Sequence, residues 1–311
     1  MKTALLFPGQ GSQYVGMGRS LWEHSHAVRD LFRTASAVLG FDLCTLCFEG
    51  PEERLNSTRY TQPAVFIVSV AAHRAACEAS PLSAALVAGH SLGEYAALVA
   101  AGSLTFEDGL DLVRERAALM DEAAGRGAGG MVAVIGLPRT EVEQICCNIA
   151  DTIGILVAAN YNAPNQLVIS GEERALETAS EEARGKGAKT IRLSVSAPFH
   201  TPLMTAASER FSRVLDRTPM RCPDPPWVSN VTAQPVHTAE ECRRLLAVQV
   251  CAPVRWEDSV RSMLSAGIEQ FIELGPGKVL KGLCRRIDRT ARCDSVDTLE
   301  DLEGLRARSA Q

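Results

Sequence analysis

Short unbroken apolar runs alternate along this chain with longer stretches in which apolar residues recur every three or four positions. The first pattern marks strands buried on both faces, the second amphipathic or buried helices. Thr3 to Phe7 is such a run, and Pro8-Gly9 ends it, so a buried strand is predicted to enter a loop there. Helical patterning follows that loop through about Leu39, and Gln62 to Cys77 predicts a core helix. Ala85 to Gly89 is a second buried strand, with His90-Ser91-Leu92-Gly93 as its turn and Glu94 to Ala101 as the next helix. A further helix is predicted over Thr105 to Ala124, with Thr105 as cap and Asp108 in the first turn.

The composition then shifts. Gly125-Arg126-Gly127-Ala128-Gly129-Gly130 reads as a flexible segment and not as a dinucleotide fingerprint, because an apolar strand, Met131 to Ile135, follows it where a helix would be needed. After that strand the pattern predicts helix Glu141 to Ile149, strand Ile155 to Asn160, strand Gln166 to Ser170, helix Glu172 to Lys186 and strand Thr190 to Val195. That β-α-β-β-α-β order is the ferredoxin-like arrangement. The main domain resumes with a helix after Pro202, a strand near Trp227 to Ser229, helices near Thr238 to Val248 and Trp256 to Ala266, and strand Gln270 to Leu274. The tail after Leu299 has no clear period. The expected architecture is α/β: a parallel-sheet large domain of residues 1–127 and 197–311, with a ferredoxin-like subdomain of residues 128–196 inserted.

Charge narrows the function. A net charge of −5 and 5% aromatic residues provide neither a basic field nor stacking platforms for nucleic acid. No stretch reaches the ~18–20 apolar residues of a membrane-spanning helix, and the N-terminal apolar run is too short for a secretory signal. The ten cysteines are therefore expected to be reduced thiols in a cytoplasm. Cys44-Thr45-Leu46-Cys47 is the one C-x-x-C; without further ligands at matching spacing it reads as small buried residues, and no metal site is expected.

The chemistry concentrates at Gly89-His90-Ser91-Leu92-Gly93, which fits G-x-S-x-G between a strand and a helix. In that context glycines permit the sharp turn that exposes a serine nucleophile, as in α/β-hydrolase-like folds. The following helix aims amides at developing negative charge, and the Leu92 amide is a ready oxyanion donor. A serine also needs a base. His24, His26 and His73 lie on helical stretches, and His90 adjoins the serine and is expected to brace the turn. His200 stands out, in a loop stiffened by Pro198 and Pro202 at a domain boundary. Arg116 has Leu112, Val113, Leu119 and Met120 as its helical neighbours, so its guanidinium must find an anion or snorkel to water. Arg114, with Asp111 three residues back, reads as solvated.

Together, Gly9-Gln10-Gly11-Ser12-Gln13, Gly89-His90-Ser91-Leu92-Gly93-Glu94, Arg116, Asn160-Tyr161-Asn162-Ala163-Pro164, Pro198-Phe199-His200 and Gln249 resemble malonyl-CoA:acyl carrier protein transacylases and the acyltransferase domains of polyketide synthases. The resemblance runs in order from about residue 3 to Leu283. It implies transfer of a malonyl group from malonyl-CoA to the phosphopantetheine thiol of an acyl carrier protein, through a malonyl-serine, supplying extender units for fatty-acid or polyketide synthesis. It also implies roles: Ser91 as nucleophile, His200 as base and acid, the Gln249 carbonyl as orienter of the imidazole, and the Gln10 and Leu92 amides as oxyanion hole. Arg116 would clamp the malonyl carboxylate; Phe199 and Leu92 would disfavour an α-methyl branch; Asn160 would line the substrate site. No metal or cofactor belongs to the enzyme, and a monomer suffices. Because carrier proteins of this kind are acidic, Arg285, Arg286, Arg289 and Arg292, or Arg184, Lys186 and Lys189, are candidate docking patches.

The competing expectation is an acyl-thioester hydrolase of the same fold, of proofreading type. Against an ordinary α/β-hydrolase stands the placement of His200, 109 residues after Ser91 with over a hundred still to follow. Against the proofreading type stands Arg116, since such hydrolases tend to lack the carboxylate-binding arginine.

Overall fold

The computed structural model describes residues 1–80, 82–124, 129–195 and 197–309. Among these are ten strands: β1 (Thr3–Phe7), β2 (Leu86–Gly89), β3 (Gly129–Ile135), β4 (Leu156–Ala163), β5 (Gln166–Glu172), β6 (Lys189–Arg192), β7 (Trp227–Val228), β8 (Pro235–Val236), β9 (Gln270–Leu274) and β10 (Arg292–Val296). Six form one sheet in the order β10-β9-β1-β2-β7-β8, parallel except for β8, which runs antiparallel to β7. The unbroken apolar run of β1 is explained by its two neighbours. Leu5 and Phe7 enter the core beneath helices Thr58–Ala79 and Phe106–Ala124, while Ala4 and Leu6 enter a second core with Trp256, Leu280 and Ile287. A strand covered on both faces cannot alternate with polar residues.

The other four strands form an antiparallel sheet in the order β4-β5-β3-β6. Helices Arg139–Ala150 and Glu173–Gly185 cover one face through Ile145, Leu176 and Ala179. The opposite face sends Met131 and Val168 into the main core. The fold is thus an α/β-hydrolase-like large domain with a ferredoxin-like small one, as the strand and helix order predicts. The flexible segment expected at 125–130 falls largely outside the described residues, its last two glycines opening β3; the expected boundary positions 127, 128 and 196 are also outside them.

Local differences have local causes. The expected single helical stretch to Leu39 is two helices, Arg19–His24 and His26–Leu39, because the Ser25 hydroxyl accepts from Val28 N at 3.2 Å and starts the second. The C-x-x-C lies on helix Leu43–Glu49, with Cys47 buried in the main core. The tail is ordered: β10 takes the sheet edge and helix Leu299–Ser309 packs Leu302 and Leu305 into the core. The strand expected through Val195 ends at Arg192, and Leu193, Ser194 and Val195 turn to line a cavity. No single helix among the described residues is long and apolar enough to cross a membrane; one bent pair, His26–Leu39 with Leu43–Glu49, passes on length and composition.

Candidate active site

Parallel strands collect their following loops at one end of the sheet, and the site lies there. The β1–β2 register pairs Phe7 with Gly89, which places the loop after β1 beside the turn after β2. The contact is tight enough that a Cβ on Gly9 would stand 2.4 Å from the His90 carbonyl oxygen. The strained residue of the turn is Ser91 itself, with φ 50°. The flanking glycines serve a different need from the one expected: a Cβ on Gly89 would meet the Gly93 carbonyl carbon at 1.9 Å, and one on Gly93 the Phe7 carbonyl oxygen at 2.0 Å. They are required for space, since the helix Gly93–Ala100 starts directly against β1 and β2. Asn230, just past β7, holds the turn from the other side: its Oδ1 accepts from Ser91 N at 2.6 Å and its Nδ2 donates to Gly89 O at 2.7 Å.

The structure brings His200 to Ser91. His200 also has positive φ, 60°, and its Nε2 lies 2.9 Å from Ser91 Oγ. Nδ1 faces the carbonyl oxygens of Gln249 at 2.9 Å and Ala252 at 3.1 Å. Carbonyls only accept, so Nδ1 carries the proton, and Nε2 is left as the acceptor for the serine hydroxyl. Burial, with the Arg116 charge next, pushes the imidazole down to about 3 against the pull of those carbonyls. It is neutral at pH 7 and oriented without a carboxylate. The Gln249 carbonyl stands where it was expected; Ala252 was not foreseen.

Arg116 is 2% exposed. Its Nη1 donates to Gln62 Oε1 at 2.6 Å, and its Nη2 to Gln249 Oε1 at 2.9 Å and to Ser91 Oγ at 3.0 Å. All three acceptors are neutral, and Nε has no hydrogen-bond partner at normal distance among the described residues, with the Tyr95 ring 5.7 Å from the guanidinium carbon. The carboxyl that acts on it through space is that of Glu94, fully buried, which desolvation pushes up to about 8 against the pull of Asn230, Gln249 and Arg116. It makes no direct bond to the arginine: its oxygens accept from Asn230 N and Gln249 Nε2, each at 2.6 Å. A buried guanidinium beside a nucleophile, with donors to spare and no carboxylate bonded to it among the described residues, is built to receive one. Arg114, by contrast, pairs with Asp111 at 3.1 Å on the surface.

A cavity of about 390 Å³ opens over Ser91 between the two domains. Gln10, Leu92, Asn160, Phe199 and His200 line it with Arg116, together with Met131 and Val168 of the small sheet. The backbone amides of Gln10 and Leu92 have no partner among the described residues, so both are free to donate to a substrate oxygen. Helix Val279–Ile287 contributes Val279, Leu280 and Leu283 to the wall. His90 braces the turn as expected, its ring tilted 54° to that of Trp256 at 5.5 Å and its Nε2 2.8 Å from Asn162 Oδ1. His24, His26 and His237 are exposed, and His73 lies edge-on to Phe7.

Sequence reasoning missed Gln62 and Asn230, and it assigned no role to Asn162 or Glu94, which stand in the motifs quoted above. Two of these carried a signal like that of Arg116. Gln62 is followed by six apolar residues, Pro63 to Val68, and Glu94 heads the apolar helix Gly93–Ala100. A polar group on such a face must be paired inside.

A strained serine on a strand–helix turn, a neutral histidine and a buried arginine bonded to neutral acceptors together define a serine acyl-transfer type of site. The chain belongs to the acyl transferase domain family, which matches residues 4–299. It is similar to the malonyl CoA-acyl carrier protein transacylase of Bacillus subtilis (strain 168), 41% identical over 303 residues, covering 97% of this chain and 95% of that protein. The enzyme of that name from Staphylococcus aureus (strain MRSA252) is 38% identical over 304 residues, 97% and 98% of the two chains. Among solved structures, the malonyl CoA-acyl carrier protein transacylase of Coxiella burnetii superposes with a TM-score of 0.96 at 39% identity, over 99% of this chain and 98% of that one. A malonyl-transacylase solved in complex with its type II PKS acyl-carrier protein superposes at 0.95, with 39% identity over 99% and 100%.

Proposed function

We propose that this enzyme transfers a malonyl group from malonyl-CoA to the phosphopantetheine thiol of an acyl carrier protein. The observation that carries the reading is Arg116, a buried guanidinium 3.0 Å from Ser91 Oγ and paired with no carboxylate among the described residues. The malonyl carboxylate supplies the missing anion. An acetyl group would leave it missing, which costs binding free energy.

In the first half-reaction Ser91 Oγ attacks the thioester carbonyl carbon as its proton passes to His200 Nε2. The amides of Gln10 and Leu92 hold the oxyanion. The C–S bond breaks, the departing CoA sulfur takes the proton back from His200, and a malonyl ester remains on Ser91. The carrier's thiol then attacks that ester by the same steps in reverse. The placement of Arg116 beside Ser91 favours this reaction over hydrolysis of the proofreading type. Every group invoked comes from a single chain, so a monomer suffices. Ten free cysteines fit a reducing cytoplasm.

The carrier docks on the face of helix Val279–Ile287 that flanks the cavity. Arg285 and Arg286 are exposed in its last turn, and Arg286 donates to Gln166 at the cavity wall. The other basic group, around Arg184, adjoins Glu173, Glu177 and Glu181 and offers less net charge.

Intact mass after brief exposure to equal malonyl-, methylmalonyl- and acetyl-CoA tests the reading. A single malonyl adduct is expected on the wild type, absent from Ser91→Ala and weakened in Arg116→Ala. Free malonate released at the rate of CoA, with no trapped adduct and no dependence on carrier, would overturn it in favour of a hydrolase.

A further inference from the structure

Arg116 is held by an amide that has two unlike ends. The Gln249 side chain must present its oxygen to the guanidinium and its nitrogen elsewhere. The nitrogen is claimed by two acceptors, Ser91 O at 2.7 Å and Glu94 Oε2 at 2.6 Å. The other Glu94 oxygen accepts from Asn230 N at 2.6 Å, and Asn230 is the residue that grips the Ser91 turn. Glu94, Asn230 and Gln249 are each 0% exposed, so water cannot substitute for any of these bonds. Carrying a carboxyl into such a place is unfavourable unless it does something an apolar side chain cannot.

We propose that Glu94 is a positioning residue for substrate selection: acting through the Gln249 side chain, it fixes Arg116 in the orientation that the substrate carboxylate needs. The inference rests on the malonyl reading above. A carboxyl, ionised or protonated, keeps lone pairs on both oxygens and can accept from Gln249 and Asn230 at once. A glutamine at this position cannot. Whichever way its amide turns, its nitrogen meets either Gln249 Nε2 or Asn230 N, two donors face to face. The cheaper relief is for Gln249 to turn over, which withdraws its oxygen from Arg116 Nη2 and offers that donor another donor.

A purely structural carboxyl would, when lost, slow every acyl donor alike. A positioning carboxyl would slow malonyl transfer selectively. Acylation of Ser91 by malonyl-CoA and by acetyl-CoA is therefore compared at limiting substrate in wild type, Glu94→Gln, Arg116→Ala and the double variant. In Glu94→Gln the malonyl-to-acetyl ratio is expected to fall roughly tenfold or more, the worth of one hydrogen bond to a charged group, through KM for malonyl-CoA rather than kcat. In the Arg116→Ala background the same substitution should leave the ratio unchanged. An equal loss for both donors, or a further fall in the ratio without Arg116, overturns the proposal. Gln249→Leu keeps the backbone carbonyl used by His200 and removes the side chain that links Glu94 to Arg116, together with its bond to Ser91 O. It should reproduce the selective loss, and an unchanged ratio there also overturns the proposal, even if Glu94→Gln does not fold. Failure of wild type itself to take malonyl would count against the reaction assigned above, separately from Glu94.

Discussion

His200 touches the Ser91 hydroxyl with one ring nitrogen and the Gln249 carbonyl with the other, each at 2.9 Å, and no carboxylate takes part in its orientation. Two carbonyls settle the tautomer that a third acidic residue would settle elsewhere. They do so without adding a negative charge that would raise the imidazole's affinity for protons.

One consequence is a pH profile without the usual histidine break. With the imidazole held down to about 3, the rate of Ser91 acylation should show no inflection near 6.5 as the pH is lowered toward 5, read by rapid quench and mass. Stability follows the opposite logic. The unfolded chain binds the histidine proton below about 6.5 and the folded chain does not until about 3, so this residue makes the fold less stable as pH falls through that window. A break in acylation at 6.5 would mean the ring is not held neutral.

Arg116 should decide between acyl groups rather than drive the chemistry. Arg116→Ala is expected to lower kcat/KM for malonyl-CoA by roughly a hundredfold or more, the scale of a paired, desolvated charge interaction. Acetyl-CoA should be affected far less. Equal losses for the two would remove the arginine from substrate recognition.

Phe199 is 4% exposed and lines the cavity beside His200. Phe199→Ala should admit an α-methyl branch, raising methylmalonyl- relative to malonyl-adduct by about tenfold, within the range of one methyl group's worth of pocket discrimination. Competition between the two CoA esters, read by intact mass, measures it directly.

The glycines of the turn should tolerate nothing larger. Gly93→Ala places a methyl 2.0 Å from the Phe7 carbonyl oxygen, a backbone atom that cannot step aside without separating the helix from β1. Loss of soluble, cooperatively melting protein is the expected result. A variant melting within a few degrees of wild type would contradict the tight packing at this junction.

Reversing charge on the helix Val279–Ile287 separates the two half-reactions. Arg285→Glu with Arg286→Glu should raise KM for the carrier protein by more than it raises KM for malonyl-CoA, since long-range charge acts on encounter and the carrier presents the larger acidic surface. An unchanged KM for the carrier would move docking elsewhere.

Much of this molecule is written in its periodicity. The buried strands Thr3–Phe7 and Leu86–Gly89 and the split β-α-β-β-α-β order were legible because burial on both faces, or on one, leaves a period in the sequence. β10 and helix Leu299–Ser309 were not, because an edge strand reading Arg-Cys-Asp-Ser-Val and a helix with two buried leucines leave almost none. Ser91 and Arg116 were marked by local anomaly: a G-x-S-x-G turn, and a charge on an apolar face. What no local signal contained was partnership. That Gln249 serves His200 with its backbone and Arg116 with its side chain depends on segments 49 and 133 residues away meeting at the ends of parallel strands. The chain's own sequence determined which groups could not be left alone in the core. Only the tertiary structure decided which neutral acceptors met them, and so left the guanidinium's charge for a substrate to complete.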